Sequence, residues 1–171
     1  MTIRLLPAEA LSAYQPHLME LLRDAVDSGA SVGFLPPLPD AEARRFWQEL
    51  GPALAAGTTL LLVAEEAGQL VGTVQLHLAT KPNGRHRAEV AKLLVHSRAQ
   101  RRGIGRQLMQ AVEELARQHG RRTLVLDTLQ GAPSELLYQG LGYVAAGAIP
   151  AFARVASGAL EPTVVYYKLL E

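Results

Sequence analysis

A strand-to-helix junction rich in glycine and arginine has the residue types needed to bind a phosphate. The segment Gln100-Arg101-Arg102-Gly103-Ile104-Gly105-Arg106 follows an apolar run that ends in Leu94-Val95-His96. The first amides of a helix have no partners within the helix, and the helix dipole adds positive charge there. Glycine, which has no Cβ, lets a ligand approach the backbone closely. The pattern therefore predicts a pyrophosphate site, with arginines supplying further positive charge.

Two common phosphate-binding motifs do not fit this junction. The Walker pattern requires Gly-Lys-Ser or Gly-Lys-Thr after its first glycine, and the chain contains neither. The dinucleotide fingerprint requires a third glycine, where this chain has Leu108, and it belongs to the first strand-helix unit of its fold. Another kind of pyrophosphate ligand is therefore expected.

The elements on either side must position this junction. Apolar and alternating runs predict strands at residues 3–6, 59–65, 70–79, 88–96, 123–127, 143–148 and 163–170. Helical periodicity and end signals predict helices at residues 8–28, 40–50, 103–119 and 133–141. Gly51-Pro52 is expected to interrupt the second helix, and a long loop is expected over residues 150–162. The order predicts one α/β domain over residues 1–171 with a mixed sheet.

Composition narrows the function class. Seventeen Lys and Arg against sixteen Asp and Glu give a net charge of +1, so the whole chain has no electrostatic preference for nucleic acid or membrane. The lack of cysteine excludes disulfides, cysteine-zinc sites and a thiol nucleophile. The histidines do not cluster at metal-ligand spacing, so no metal is expected. The N-terminus lacks a signal-peptide pattern and no apolar run could span a bilayer, which favours a cytoplasmic protein.

The segment Gln100-Arg101-Arg102-Gly103-Ile104-Gly105 resembles the Gln/Arg-x-x-Gly-x-Gly/Ala motif of the GNAT superfamily of N-acetyltransferases. The element order is similar, and Leu137-Tyr138-Gln139-Gly140-Leu141-Gly142-Tyr143 resembles the superfamily's Leu-Tyr-x-x-x-Gly-Phe segment. Leu126-Asp127-Thr128 is similar to the tabtoxin resistance group within that superfamily. The chain departs from many other members at Gly131 and Ser134, where they carry Asn and Ala.

The resemblance implies a GNAT-type α/β fold. Its sheet is mixed and mostly antiparallel, is flanked by helices on both faces, and is splayed between strands 4 and 5. The resemblance also implies acetyl-CoA as cosubstrate, without a metal. The implied coenzyme contacts are Leu94, Val95, His96, Gln100, Arg101, Arg102, Gly103, Ile104, Gly105, Arg106, Ser134 and Tyr138.

Three side chains are candidates for proton transfer. The resemblance assigns to Tyr138 the proton returned to the coenzyme sulfur, which a phenol with a reference pKa of about 10 can supply. Asp127 ends an apolar run and is interpreted as a base or as an anchor for the substrate ammonium. The resemblance implies that Glu89 is a glutamate that works through water. The structural alternatives are a core aromatic for Tyr138, a loop hydrogen-bond partner for Asp127 and a surface residue for Glu89. The choice of base between Asp127, Glu89 and a water stays open.

The acceptor is expected to be a small polar amine. The resemblance to the tabtoxin resistance group implies an amino-acid toxin such as tabtoxinine-β-lactam, and hence antibiotic resistance. The expected substrate contacts are Asp127 and three residues of the Gly- and Pro-rich loop, Ser31, Val32 and Phe34. A housekeeping amine, a protein N-terminus and a homodimer stay open.

Two rival classes are considered. One is an acyl-CoA-binding sensor without catalysis, against which an intact Tyr138 and Asp127 argue. The other is a nucleic-acid-binding domain that uses the arginines between Arg85 and Arg122. The near-neutral total charge and the lack of interleaved aromatic residues argue against it.

Overall fold

The computed structural model describes residues 1–171. Its strands are β1 (Thr2–Leu5), β2 (Thr59–Glu66), β3 (Gln69–Leu78), β4 (Arg87–Val95), β5 (Thr123–Leu129), β6 (Val144–Arg154) and β7 (Leu160–Leu169). They form one sheet in the order β1-β2-β3-β4-β5-β7-β6. Every neighbouring pair is antiparallel except β4 and β5, which are parallel.

Helices cover both faces of this sheet, as the resemblance implies. They are α1 (Leu11–Asp27), α2 (Asp40–Ala55), α3 (Ile104–Gln118) and α4 (Pro133–Gln139). The front face, defined here as the one under α1 and α2, has a core of 17 buried residues that includes the fully buried Trp47. The back face, under α3 and α4, has a core of 21 buried residues. Truncating a side chain such as Trp47 to alanine would cost about 3–5 kcal/mol of folding free energy. None of the helices combines the length and the hydropathy needed to cross a membrane.

The two central strands, β4 and β5, pair only at one end. Their ladder runs from Arg87 opposite Thr123 to Glu89 opposite Val125. Beyond this point β4 continues to residue 95 and β5 to residue 129, where β5 pairs with β7. The space between residues 90–95 and residues 126–129 is called the splayed gap below. The predicted splay between strands 4 and 5 is thus confirmed.

A bulge in β4 contributes to this divergence. Thr73 of β3 lies opposite Leu94 and Gln75 lies opposite Ala91, so β4 has one more residue than β3 in this interval. Lys92, inside the interval, has a φ of 50°. A bulge bends its strand and increases the local twist.

The predicted interruption of the second helix is wrong. α2 runs through Gly51 and Pro52 to Ala55. Leu50 and Leu54, one turn apart, are both buried in the front core, so packing holds the last turn against the low helix propensity of glycine and proline. The missing Cβ of Gly51 would lie 3.7 Å from Leu11 Cδ2, in ordinary contact.

The long loop predicted over residues 150–162 is also wrong. β6 continues to Arg154 and β7 begins at Leu160, so the connection is short. β6 is an edge strand, where a proline removes no hydrogen bond from an interior ladder. The pairing of β6 with β7 is irregular between Ile149 and Ala153, and this irregularity accommodates Pro150.

Candidate active site

The loop after β4 leaves its main-chain amides unused. A turn of 3-10 helix at residues 97–99 is followed by Arg101 and Gly103, with φ values of 59° and 80°, and α3 then begins at Ile104. The amides of residues 101–106 donate no hydrogen bond within the chain, whereas the next one, of Gln107, donates to the Gly103 carbonyl at 3.1 Å. Successive free N–H groups around left-handed residues form an anion-binding concavity. The α3 dipole adds positive charge to it.

Gly105 keeps a narrow space open beside this loop. A Cβ at Gly105 would lie 3.4 Å from Leu137 Cδ2 and 3.7 Å from Val95 Cγ2. Any side chain at this position would therefore fill the space between the end of β4 and α4, on the back face of the splayed gap. Gly103 has a different role, because its positive φ is a conformation that other residues adopt at a cost.

The arginines of the loop differ in their availability. Arg102 forms a salt bridge with Glu66 at 2.7 Å, and Arg106 Nη1 donates to the Gly140 carbonyl at 3.4 Å. Arg101 is exposed, and its side chain takes part in no ion pair or hydrogen bond. Arg101 is therefore the arginine that is free to bind a phosphate.

The direction of the main chain decides which groups of β4 face the splayed gap. The His96 amide donates to the Val71 carbonyl of β3 at 2.9 Å, and Leu94 also pairs with β3. Because main-chain groups of successive strand residues point to opposite sides, those of Val95 point into the gap. The Val95 carbonyl there accepts a hydrogen bond from Gln100 Nε2 at 3.2 Å. Among Leu94, Val95 and His96, Val95 is thus the residue whose main chain faces the gap.

The side chain of His96 is turned toward α1. Its Nε2 lies 3.5 Å from Glu20 Oε1 and its Nδ1 lies 3.4 Å from Asp24 Oδ1. Asp24 also accepts hydrogen bonds from the amide and the hydroxyl of Ser97, at 2.7 and 2.6 Å. These contacts fasten the loop to α1.

Tyr138 is buried in the back core beside the gap. Only 7% of the residue is exposed, and its ring centroid lies 5.9 Å from that of Tyr143 and 6.1 Å from that of Tyr166. Burial, assisted by the negative charge of Asp127, raises the pKa of Tyr138 to about 12. The hydroxyl therefore stays protonated at neutral pH, and burial makes it a weaker acid than a free phenol.

Hydrogen bonds hold α4, and with it Tyr138, against the sheet. The hydroxyls of Ser134 and Thr128 lie 2.7 Å apart, which joins the first turn of α4 to β5. Glu135 accepts a hydrogen bond from the Gly131 amide at 2.6 Å and another from the Tyr166 hydroxyl. These two bonds lower the pKa of Glu135. Ser134, a predicted coenzyme contact, thus lies at the edge of the site with its hydroxyl bonded to β5.

Asp127 and Glu89 both face the front side of the gap. Leu124 and Leu126 belong to the back core, so Asp127, which follows Leu126, points to the front. Glu89 lies opposite Val125, two residues before Asp127 on the same face. Both carboxylates are exposed. The predicted end of this strand at Asp127 is wrong, because β5 continues to Leu129.

Asp127 has a hydrogen-bond partner on the neighbouring strand. Its Oδ2 accepts from the Thr163 hydroxyl of β7 at 2.8 Å. The same hydroxyl lies 2.8 Å from the Thr128 carbonyl, so its one proton is shared between two acceptors. This contact fixes the orientation of the Asp127 carboxylate while leaving its other oxygen free.

Lys92 also lies on the front side of the gap, and the sequence analysis did not predict it as a site residue. Its Nζ lies 5.7 Å from the centre of the Phe46 ring, and 3.8 Å from where a Cβ on Gly33 would be. Burial lowers the pKa of Lys92, whereas the nearby Asp127 and Glu89 carboxylates oppose this shift. The signal in the sequence is a lone cation inside the apolar run Val90-Ala91-Lys92-Leu93-Leu94.

His77 of β3 lies on the front side of the gap with Asp127, Glu89 and Lys92, and these four side chains are called the polar surface. It lies opposite Glu89, and its Nε2 is 2.9 Å from Gln75 Oε1. Burial lowers the pKa of His77, so the neutral imidazole is favoured. The front side of the gap therefore carries two carboxylates, one ammonium and one imidazole.

The Gly- and Pro-rich loop lies next to Lys92, and its predicted contact residues differ in exposure. Ser31 is exposed, and Val32 and Phe34 are half-buried against the front core. The Phe34 ring meets Phe46 edge to face, with centroids 5.3 Å apart. Phe46 in turn lies beside Lys92, so Phe34 supports one wall of the polar surface. No group of three or more histidine, aspartate or glutamate side chains is arranged to hold a metal ion.

Comparison with known proteins agrees with this geometry. N-acetyltransferase family 8 member 2 of Rattus norvegicus is 37% identical over 87 residues, which are 50% of this chain and 38% of that protein. A ribosomal-protein-alanine N-acetyltransferase from Brucella melitensis superposes with a TM-score of 0.80 and 26% identity, covering 99% of this chain and 100% of that one. The yncA protein of Salmonella typhimurium, solved with its cofactor acetyl-CoA, gives a TM-score of 0.77 at 22% identity, over 100% of this chain and 94% of that one.

The model of the acetyltransferase (GNAT) family matches residues 18–143, which include the loop after β4, the splayed gap and Tyr138. The chain therefore belongs to the acetyltransferase (GNAT) family.

Proposed function

We propose that the chain is an acetyl-CoA-dependent N-acetyltransferase that acetylates the amine of a small molecule by direct attack within a ternary complex. The observation that carries the proposal is the row of unbonded amides at residues 101–106, which lies beside the splayed gap between β4 and β5. A nucleic-acid-binding domain does not require both features together, whereas an acyl-CoA sensor would share them and differ only in lacking turnover.

The residues present fit the coenzyme. The amides of residues 101–106 and the Arg101 side chain would hold the pyrophosphate. Because Gly105 has no Cβ, its backbone stays uncovered beside Val95 and Leu137, and a thin, extended arm would pass close to it. The Val95 N–H, directed into the gap, would donate to a carbonyl oxygen there. Acetyl-CoA, when bound, supplies an acetyl group activated as a thioester.

The gap separates a proton donor from the candidate bases. Tyr138 lies on the back face, whereas Asp127 and Glu89 lie on the front. Burial, and to a lesser extent the charge of Asp127, raises the pKa of Tyr138, so the phenol and the carboxylate are near enough for their charges to influence one another. An acceptor amine on the front would lose its proton to Asp127 or Glu89, directly or through a water. Tyr138 would protonate the departing sulfur on the back.

Positioning would supply much of the rate enhancement. Holding the amine and the thioester in attack geometry can remove about 7–11 kcal/mol from the barrier when alignment is ideal. The Val95 N–H would stabilise negative charge that develops on the carbonyl oxygen. The chain contains no cysteine, so a thiol-linked acyl-enzyme cannot form.

The acceptor we propose is an amino-acid-like amine, of which tabtoxinine-β-lactam is an example, and the role would then be toxin resistance. The similarity of Leu126-Asp127-Thr128 to the tabtoxin resistance group supports this proposal. A protein N-terminus is a second candidate, supported by the fold shared with the ribosomal-protein-alanine N-acetyltransferase of Brucella melitensis.

The test is a turnover assay with a panel of amines. The purified chain is mixed with acetyl-CoA and, separately, with free amino acids, tabtoxinine-β-lactam, polyamines and a peptide that begins with alanine. Free thiol release is followed optically, and the acetylated product is identified by mass spectrometry.

We expect thiol release that depends on the amine and a product heavier by one acetyl group. Calorimetric binding of acetyl-CoA without turnover of any amine would instead favour the sensor. No binding of acetyl-CoA would overturn the coenzyme site itself.

A further inference from the structure

We propose that Lys92 binds a carboxylate of the acceptor, so that the substrate is an amino acid or a close analogue that keeps a free carboxylate near the reacting amine. This inference rests on the proposed acetyl transfer and names the class of acceptor and the residue that selects it.

The position of Lys92 is determined by the backbone. The extra residue of the β4 bulge gives Lys92 a φ of 50°, a left-handed conformation that is uncommon for residues other than glycine. Without the bulge, strict alternation from Val90 would turn residue 92 toward the apolar back core. With it, the ammonium reaches the front side of the gap, where the acceptor would bind.

The Lys92 ammonium has no ionic partner in the chain. No Asp or Glu oxygen lies within the 4.0 Å salt-bridge distance of its Nζ, and it donates no hydrogen bond. Its Nζ lies over the face of the Phe46 ring, 5.7 Å from the ring centroid. Lys168 shows the contrast, because its Nζ is 2.7 Å from both Glu113 Oε2 and the Leu141 carbonyl. A partly buried cation without such partners lacks compensation for its lost hydration, which an anionic ligand would supply.

The charges around Lys92 match a zwitterion. Asp127 and Glu89, on the same side of the gap, are close enough to affect the pKa of Lys92. One end of the polar surface can therefore accept an ammonium and the other a carboxylate. An amino acid presents these two charges only a few bonds apart. A peptide N-terminus presents an uncharged amide in place of the carboxylate, so this arrangement disfavours it.

Nuclear magnetic resonance of the lysines tests binding independently of turnover. The only lysines are Lys81, Lys92 and Lys168, so a sample labelled with ¹³C,¹⁵N-lysine gives a simple spectrum with two internal controls. The chain, with CoA present, is titrated with N-acetylglycine and separately with N-acetylglycinamide. We expect N-acetylglycine to shift the Lys92 Cε and Nζ resonances and to raise the pKa of Lys92. The carboxamide should not do so, and Lys81 and Lys168 should not respond.

Kinetics with paired substrates give the second measurement. Each amino acid that is acetylated is compared with its own carboxamide. In the wild type we expect kcat/KM to be about 100-fold higher for the carboxylate, as is typical of a site that loses a charged partner. Lys92→Met should reduce this ratio to near unity, and Lys92→Arg should retain much of it. Lys81→Met, which removes the same charge from an exposed turn, should leave the ratio unchanged.

The possible failures are distinguishable. Absence of a Lys92 shift with N-acetylglycine, or equal shifts with the carboxamide, would overturn the carboxylate site even if amines are acetylated. An equal loss of kcat/KM for both members of each pair in Lys92→Met would also overturn it, because Lys92 would then act only on its own neighbours. Failure of acetyl-CoA to bind would refute the proposed function instead, whatever Lys92 does in the titration.

Discussion

The two sides of the splayed gap are built from different kinds of chemical group. On the back side, the groups available to a ligand are mainly main-chain amides, at residues 101–106 and at Val95, with Tyr138 as the principal side chain. On the front side they are side chains from three different strands, namely Asp127, Glu89, Lys92 and His77. The back side is thus defined by local backbone shape, and the front side by residue identity.

This difference predicts which of the two sites tolerates substitution and which one changes its ligand. A main-chain site persists through many substitutions as long as the turn and the helix start are kept. A side-chain site changes its preferred ligand when one residue changes. We therefore expect substitutions on the back to alter coenzyme affinity or chemistry for every acceptor, and substitutions on the front to alter acceptor choice.

The largest effect should come from Gly105→Glu, which alters the proposed coenzyme site on the back side of the gap. The new side chain would enter the space beside Leu137 and Val95, and its charge would repel a phosphate. We expect the Kd for acetyl-CoA to rise by about 300-fold, measured by calorimetry. Gln110→Glu is the control, because it places the same charge on an exposed position of α3. Unchanged affinity in Gly105→Glu, with a native circular dichroism spectrum, would contradict the assigned coenzyme path.

Tyr138→Phe should have the next largest effect and should act on chemistry alone. Loss of the proton donor should lower kcat by about 100-fold, with the KM for acetyl-CoA nearly unchanged. Steady-state assays with the preferred amine measure both. Because the pKa of Tyr138 is raised to about 12, the phenol keeps its proton as pH rises through 10, so its ionisation should not reduce kcat there. A kcat equal to that of the wild type would remove Tyr138 from the mechanism.

The smallest expected effect is a difference in acetyl-CoA affinity between variants of the adjacent Arg101 and Arg102. Arg101→Gln should weaken acetyl-CoA binding about 5-fold, because its exposed side chain is free to pair with phosphate. Arg102→Gln should change affinity by less than about 2-fold, since Arg102 is already paired with Glu66. Calorimetry at low and at physiological salt compares the two. Equal losses in both variants would show that the loop attracts phosphate through its total charge.

The sequence predicted the back side better than the front, for a physical reason. The loop from Gln100 to Gly105 depends on neighbours within a few residues, so the order of residue types is enough to predict it. Lys92 depends on the pairing of β4 with β3, because one extra residue turns its side chain to the front. That register depends on contacts distant in sequence, and the periodicity of a single segment does not contain it.

The errors in element boundaries have the same origin. Gly51 and Pro52 are weak helix formers, but the buried Leu54 keeps α2 intact beyond them. Pro150 usually ends a strand, but at the sheet edge it costs no interior hydrogen bond. In each case tertiary packing or sheet position overrode a correct local tendency.

Because the opening between β4 and β5 is bordered by main chain on the back and by charged side chains on the front, coenzyme and amine would enter from opposite surfaces of the molecule. Neither would have to depart before the other arrives, so either order of addition leads to the same complex. An inhibitor that covalently joined the two ligands would have to pass between β4 and β5. The shortest linker that still allows tight binding would then report the distance between the coenzyme site and the amine site.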